Sequence, residues 1–330
     1  MGSGSWGTTF AKVLADSDPL AEVVLWARRP EVAQEISERH TNERYLGEML
    51  LPANVSASSD PGVVLAEAQL VVLAVPAQSL REQLQEWGLL VPEDAVFVSL
   101  MKGLERGTDL RMTEVVADVL GVAQERLAVV SGPNLAKEIA RREPTASVVA
   151  SPLEETAEWI ASACTPDYFR PYTNTDLVGV EIGGIVKNVI ALAVGICDGM
   201  NMGDNTKATI ITRGLAETTR LALALGGSAE TMAGLAGLGD LVATCSSPLS
   251  RNRTAGRLIG EGYTLDEVAE KMTQVAEGIK SGAAVLDLAS RHGVDMPITQ
   301  AVVAVIEGKV DVKSMAALLL QRELKSEETH

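Results

Sequence analysis

The sequence has little cysteine, histidine, aromatic residue or positive charge, and each shortage closes a route to function. The three cysteines, Cys164, Cys197 and Cys245, are odd in number and too far apart for a CxxC motif. That excludes a disulfide framework and a thiol redox centre, and it points to a reducing cytosol. His40 lies in a polar stretch, His292 beside an expected helix end in Arg-His-Gly, and His330 at the terminus, so histidine offers no obvious proton carrier. Aromatics make up only 3%, too few for base-stacking platforms. With 28 Lys and Arg against 44 Asp and Glu, the net charge of −16 repels nucleic acid and anionic membrane surfaces. No basic and apolar leader opens the chain. The longest apolar run, Val189–Cys197, falls short of the roughly 18 residues a membrane span needs. The expectation is a cytoplasmic protein without a membrane span.

What is present is ordinary globular material, 46% hydrophobic and 22% charged, in a chain long enough for two cores. Short apolar runs in the first half, Glu22–Trp26, Leu70–Val75, Ala95–Leu100, Leu127–Val130 and Ala146–Ala150, read as buried parallel strands. Amphipathic segments such as Glu31–Arg39 and Asp109–Leu120 alternate with them as helices. From about Leu177 the chain turns to long Ala-, Leu-, Gly- and Val-rich segments that read as helices, and Thr264-Leu-Asp-Glu267 gives a capping box. The expected organisation is a doubly wound α/β domain over residues 1–178, followed by an all-helical domain over residues 179–330.

The opening Gly2-Ser-Gly4-Ser5-Trp6-Gly7 is a GxGxxG pattern, whose glycines permit a tight turn, close backbone approach to a pyrophosphate and helix packing. Thr8–Leu14 supplies the following helix. No residues stand before Met1 to supply the preceding strand, so the expected sheet lacks its first strand, and a flexible leader is the bland alternative. Twenty-one residues beyond Gly7, after the apolar run, stands Ala27-Arg28-Arg29-Pro30. An NAD site places an acidic residue there, whereas guanidinium groups suit a 2′-phosphate, so NADP is the preferred cofactor over NAD. Solvated turn arginines are the competing reading.

Lys187 is the anomaly of the second half, set among Ile185, Val186, Val189 and Ile190. An ammonium is costly to bury unless paired or neutralised, which is how a proton-carrying lysine is made. A lysine snorkelling from an amphipathic helix is the alternative. Farther on come Gly237-Leu-Gly-Asp240 and Ser250-Arg251-Asn252. Asp240 and Ser250 read as helix N-caps, and Arg251 with Asn252 could instead hold an anion at a helix start.

In order along the chain, GSGSWGT, LWARRP, SLMKGLE, SGPNLAKEI, EIGGIVKNVIALAVGICDGMNMGDNTKATIITRG, GLGDLVATC, SRN and VAEGI resemble the bacterial NAD(P)-dependent glycerol-3-phosphate dehydrogenases over nearly the whole sequence. The resemblance implies a Rossmann-type domain, hydride transfer between NAD(P)H and dihydroxyacetone phosphate, a homodimer, and a supply of glycerol phosphate for phospholipids. It makes Lys187 the proton acceptor with Asn188 beside it, and it gives Lys102 contacts to both substrate and cofactor. Gly132, Asn134, Asp240, Ser250, Arg251 and Asn252 would hold glycerol 3-phosphate. Ser5, Trp6, Arg28 or Arg29, Ala136, Arg251, Val275 and Glu277 would line the cofactor. Asn134 stands where many relatives carry Ser. Two rival readings remain: a β-hydroxyacid-type dehydrogenase, against which the adjacency of Lys187 and Asn188 counts, and a non-catalytic nucleotide-binding protein.

Overall fold

The computed structural model describes residues 1–272 and 276–315. The chain forms two compact units, one of Met1–Glu105 with Leu110–Leu177, the other of Arg106–Asp109 with the chain from Val178 onward. The short excursion at Arg106–Asp109 has no sequence signature. It is the tip of a hairpin closed by the Leu104–Arg111 bridge and the Glu105 N–H to Leu110 carbonyl bond, and its Asp109 pairs with Arg291. For the same reason the helix expected from Asp109 starts only at Met112: Asp109 has a φ of 56° and Arg111 is extended.

In the first unit the β-branched runs become strands: β1 (Val23–Trp26), β2 (Val55–Ser58), β3 (Leu70–Leu73), β4 (Val96–Ser99), β5 (Leu127–Ser131), β6 (Thr145–Ala150) and β7 (Phe169–Asn174). They divide into a parallel pair β1-β2 and a five-stranded sheet in the order β3-β4-β5-β6-β7. One expectation is corrected: β6 runs antiparallel to β5 and is parallel only to β7. A buried apolar run carries no record of its direction.

The expected interruption at the first strand is visible as this division. Met1 and Gly2 span it, with the Met1 amino group donating to the Val72 carbonyl (2.6 Å), Ala74 N–H to Met1 O (2.9 Å) and Gly2 N–H to Trp26 O (3.2 Å). The helix Ser5–Ser17 joins the two pieces from above. Its Phe10 and Val13 pack with Val98, Leu100, Ala128 and Val130, while Ala11 and Ala15 pack with Leu25, Ala27, Ile36 and Val55.

In the second unit every described element is helical. Its axis is the 23-residue helix Leu177–Gly199, in which Ile182, Ile185, Val186, Val189, Ile190 and Leu192 are at most 1% exposed. Each such side chain contributes about 1.5–3 kcal/mol on burial. The helix is long and apolar enough to cross a membrane by length and composition, but 94% of its apolar window is buried within the protein. The apolar run found in the sequence is thus the centre of a longer core helix.

The helix Arg251–Gly260 crosses it at backbone contact. A Cβ on Gly195 would lie 2.2 Å from the Arg253 carbonyl oxygen, and on Gly199 2.2 Å from that of Arg257. From the other side, Gly256 and Gly260 would meet the carbonyls of Leu192 and Ile196 at 2.2 and 2.3 Å. Larger residues at these four positions would force the helices apart. Thr264 caps the next helix with Glu267 in the expected reciprocal box.

Candidate active site

The glycine turn lies at the carboxyl end of β3. Gly2 has a φ of 109°, and a Cβ there would meet the Ala74 carbonyl oxygen at 2.6 Å. On Gly7 a Cβ would lie 2.2 Å from Gly2 O. Both positions require glycine for packing within the turn. Gly4 differs, since a Cβ there would have nothing within 4 Å. It is the N-cap of the helix Ser5–Ser17, supplies no side-chain cap, and is followed by no acidic residue in the first turn. The helix start therefore presents backbone N–H groups and its positive end toward open space beside Gly4, as an anionic group would need. These residues fit a pyrophosphate, and the turn is not a flexible leader.

Arg28 and Arg29 follow β1 and are exposed; Arg29 lies 3.7 Å from Glu31. Ala136 opens the helix Ala136–Ala140 and accepts from the Thr9 hydroxyl (3.3 Å), which ties it to the helix behind the turn. Lys102, three residues past β4, donates to the carbonyl of Gly132 (3.2 Å). Gly132 follows β5 with a φ of 130°. Asn134 donates to Ser147 Oγ (3.0 Å), and its own Oδ1 is buried without a partner. Arg28 and Arg29 after β1, Lys102 after β4, and Gly132, Asn134 and Ala136 after β5 thus follow the carboxyl ends of their strands, and the glycine turn packs against Ala74 at the end of β3, which is where ligands of open α/β sheets bind.

In the second unit Lys187 is buried and paired. Its Nζ donates to Asp240 Oδ1 (2.7 Å) and Thr244 Oγ1 (2.6 Å), and Thr244 Oγ1 donates to the same Asp240 oxygen (3.2 Å). The lysine side chain keeps 10% exposure and the carboxylate 2%. An ammonium carries three donors, and among the described residues none takes the third. This arrangement excludes a snorkelling lysine. Thr244 was not singled out in the sequence, although its i, i+4 spacing from Asp240 places both on one helix face.

One expectation for this unit is corrected. Asp240 is the first residue of the helix Asp240–Ser246, not its N-cap, because the π-helical turn Leu235–Gly239 runs straight into it. Its carboxylate accepts from the lysine. Asn252 is buried, donating to Asn188 Oδ1 (2.8 Å) and accepting from Gly278 N–H (2.9 Å). Asn188 and Asn252 therefore fix the start of the helix Glu277–Arg291, which places Glu277. Ser250 is an N-cap as expected, accepting from Arg253 N–H (3.2 Å), and the exposed Arg251 heads that helix. Val275 lies outside the described residues.

A nucleotide-type glycine turn on a split α/β sheet, with a lysine–carboxylate–hydroxyl cluster in a helical unit, defines a two-domain nucleotide-dependent dehydrogenase. Two family models match the chain, the NAD-dependent glycerol-3-phosphate dehydrogenase N-terminus over residues 1–157 and its C-terminus over residues 176–317. The chain belongs to the NAD-dependent glycerol-3-phosphate dehydrogenase family. It is 57% identical over 306 residues to glycerol-3-phosphate dehydrogenase [NAD(P)+] of Thermobifida fusca, covering 93% of this chain and 91% of the relative. The corresponding Corynebacterium diphtheriae protein is 54% identical over 328 residues, 99% and 98% of the two chains. The crystal structure of glycerol-3-phosphate dehydrogenase from Coxiella burnetii superimposes with a TM-score of 0.92 at 37% identity, covering 97% of each chain.

Proposed function

We propose that the chain interconverts dihydroxyacetone phosphate and glycerol 3-phosphate with NADP in preference to NAD. The observation that carries this reading is the buried Lys187 with two donors held by Asp240 and Thr244 and no third partner among the described residues. The bound nicotinamide supplies the hydride to C2 or accepts it. Lys187 gives its proton to the C2 oxygen during reduction and takes it back during oxidation. Asp240 and Thr244 hold the amine in one position, and the carboxylate offsets the ammonium charge so that the site need not bury a lone cation. Arg251, at the head of its helix, supports the phosphate through charge-assisted hydrogen bonds. Arg28 and Arg29 stand where the adenosine ribose is read, and the absence of an acidic residue there favours a 2′-phosphate. A cytoplasmic homodimer that feeds phospholipid synthesis accords with family membership.

The test is NADPH oxidation by the purified chain with dihydroxyacetone phosphate, beside NADH. Turnover with NADH alone, or none from folded protein, would sink the corresponding part of the proposal. Replacing both Arg28 and Arg29 by Ala should raise KM for NADPH by about tenfold through loss of charge-assisted contacts, with KM for NADH little changed. Equal shifts for both cofactors would show that the arginines do not read the 2′-phosphate.

A further inference from the structure

Asn42 is completely buried, and the activity described so far gives it no task. It precedes the short helix Glu43–Leu46 in a polar stretch that carries no sequence motif. Its Nδ2 donates to the Ser3 carbonyl oxygen (2.9 Å) and to Thr8 Oγ1 (2.8 Å). Ser3 O can only accept, which fixes the orientation of the amide. Ser3 and Thr8 bracket the glycine turn, and no other side chain among the described residues donates to or caps it. Asn42 Oδ1, by contrast, is buried with no partner. A buried acceptor left without a partner destabilises a fold, so such a group calls for an explanation other than stability.

From this geometry we infer that Asn42 is a positioning residue for nucleotide binding. It holds both feet of the arch Ser3–Thr8, so that the N–H groups at the start of the helix Ser5–Ser17 stay aimed at the open space beside Gly4. Asn42 also follows the helix Pro30–Arg39, whose leading side carries Arg28 and Arg29. The amide therefore ties the pyrophosphate turn to the chain that follows this helix. The inference rests on the nucleotide reading of the glycine turn.

The test compares Asn42→Ala, Asn42→Asp and Thr8→Val with Gly4→Val, measuring steady-state kinetics and NADPH titration beside Tm. Asn42→Ala should raise KM for NADPH about tenfold and Thr8→Val about threefold, with kcat and KM for dihydroxyacetone phosphate within about twofold. Asn42→Asp should match or exceed the alanine effect, because a carboxylate cannot donate to Ser3 O and adds charge near the pyrophosphate. A general structural role would instead lower Tm and shift kcat and both KM values together, which overturns the inference. So would an unchanged NADPH KM in folded Asn42→Ala, or in Thr8→Val if the alanine variant does not fold. Gly4→Val has room for its side chain and should block NADPH. If it does so while the Asn42 and Thr8 variants stay silent, only the positioning role falls; if NADPH still binds, the nucleotide reading falls with it.

Discussion

Replacing Lys187 by Ala is expected to lower kcat by about 10²–10⁴-fold, the usual contribution of a positioned general acid or base. NADPH titration should remain close to wild type, because the glycine turn belongs to the other unit of the chain. The substitution also takes the ammonium partner from Asp240, whose side chain is 2% exposed. Removing one partner of a buried pair costs about 3–5 kcal/mol, so the variant should melt earlier as well as turn over slowly. A double variant, Lys187→Met with Asp240→Asn, separates the two effects. It should regain most of the lost stability and none of the activity. Activity retained in folded Lys187→Ala would remove the lysine from the chemistry, and Arg251 and Lys102 would then need a proton donor elsewhere.

The second large effect concerns Asp16, far along the sequence from any catalytic residue. Its carboxylate binds Lys12 one helical turn earlier, accepts from Tyr168 Oη (2.7 Å) and pairs with Arg142 (2.9 Å). Lys12 also lies over the Tyr168 ring, 5.3 Å from its centroid. Burial pushes the Asp16 carboxyl up, but hydrogen bonds from Lys12 and Tyr168 and the charges of Lys12 and Arg142 outweigh it and hold the group below its ordinary value. Burial and the same carboxylate push the Tyr168 hydroxyl well up. Asp16→Ala leaves Lys12, 7% exposed, without its partner, and should cost about 3–5 kcal/mol in denaturant unfolding. The contribution is present above the usual carboxylate range and is lost as pH falls through the depressed value, so wild type and variant should converge in acid. A constant difference down to strongly acid pH would mean that packing, not charge, dominates.

The five apolar runs of the first half announce themselves because strands buried on both faces need uninterrupted β-branched residues. β2 and β7 are edge strands with half-exposed positions, and β7 carries Pro171, so neither has that signature. The direction of β6 depends on the path of the chain from residue 132 to residue 144, which no local pattern encodes. Lys187 stood out because a charge interrupts an apolar run. Asp240 was legible only through the family resemblance, because by spacing alone it reads as a helix cap and only the π-helical turn before it shows otherwise. Asn42 was hidden for a plain reason: a buried amide in a polar stretch has the composition of any loop, and only long-range contacts distinguish it.

The four glycines at the crossing of Leu177–Gly199 and Arg251–Gly260 have a consequence for tolerance to change. Where helices meet through side chains, repacking can shift one against the other as residues are exchanged over generations. Here main chain rests on main chain, and its bulk is the same for every amino acid. The jig that sets the reach of Lys187 is therefore insulated from drift in the surrounding apolar residues. Its weakness is concentrated at four positions where even one added methyl group would act on chemistry several turns away.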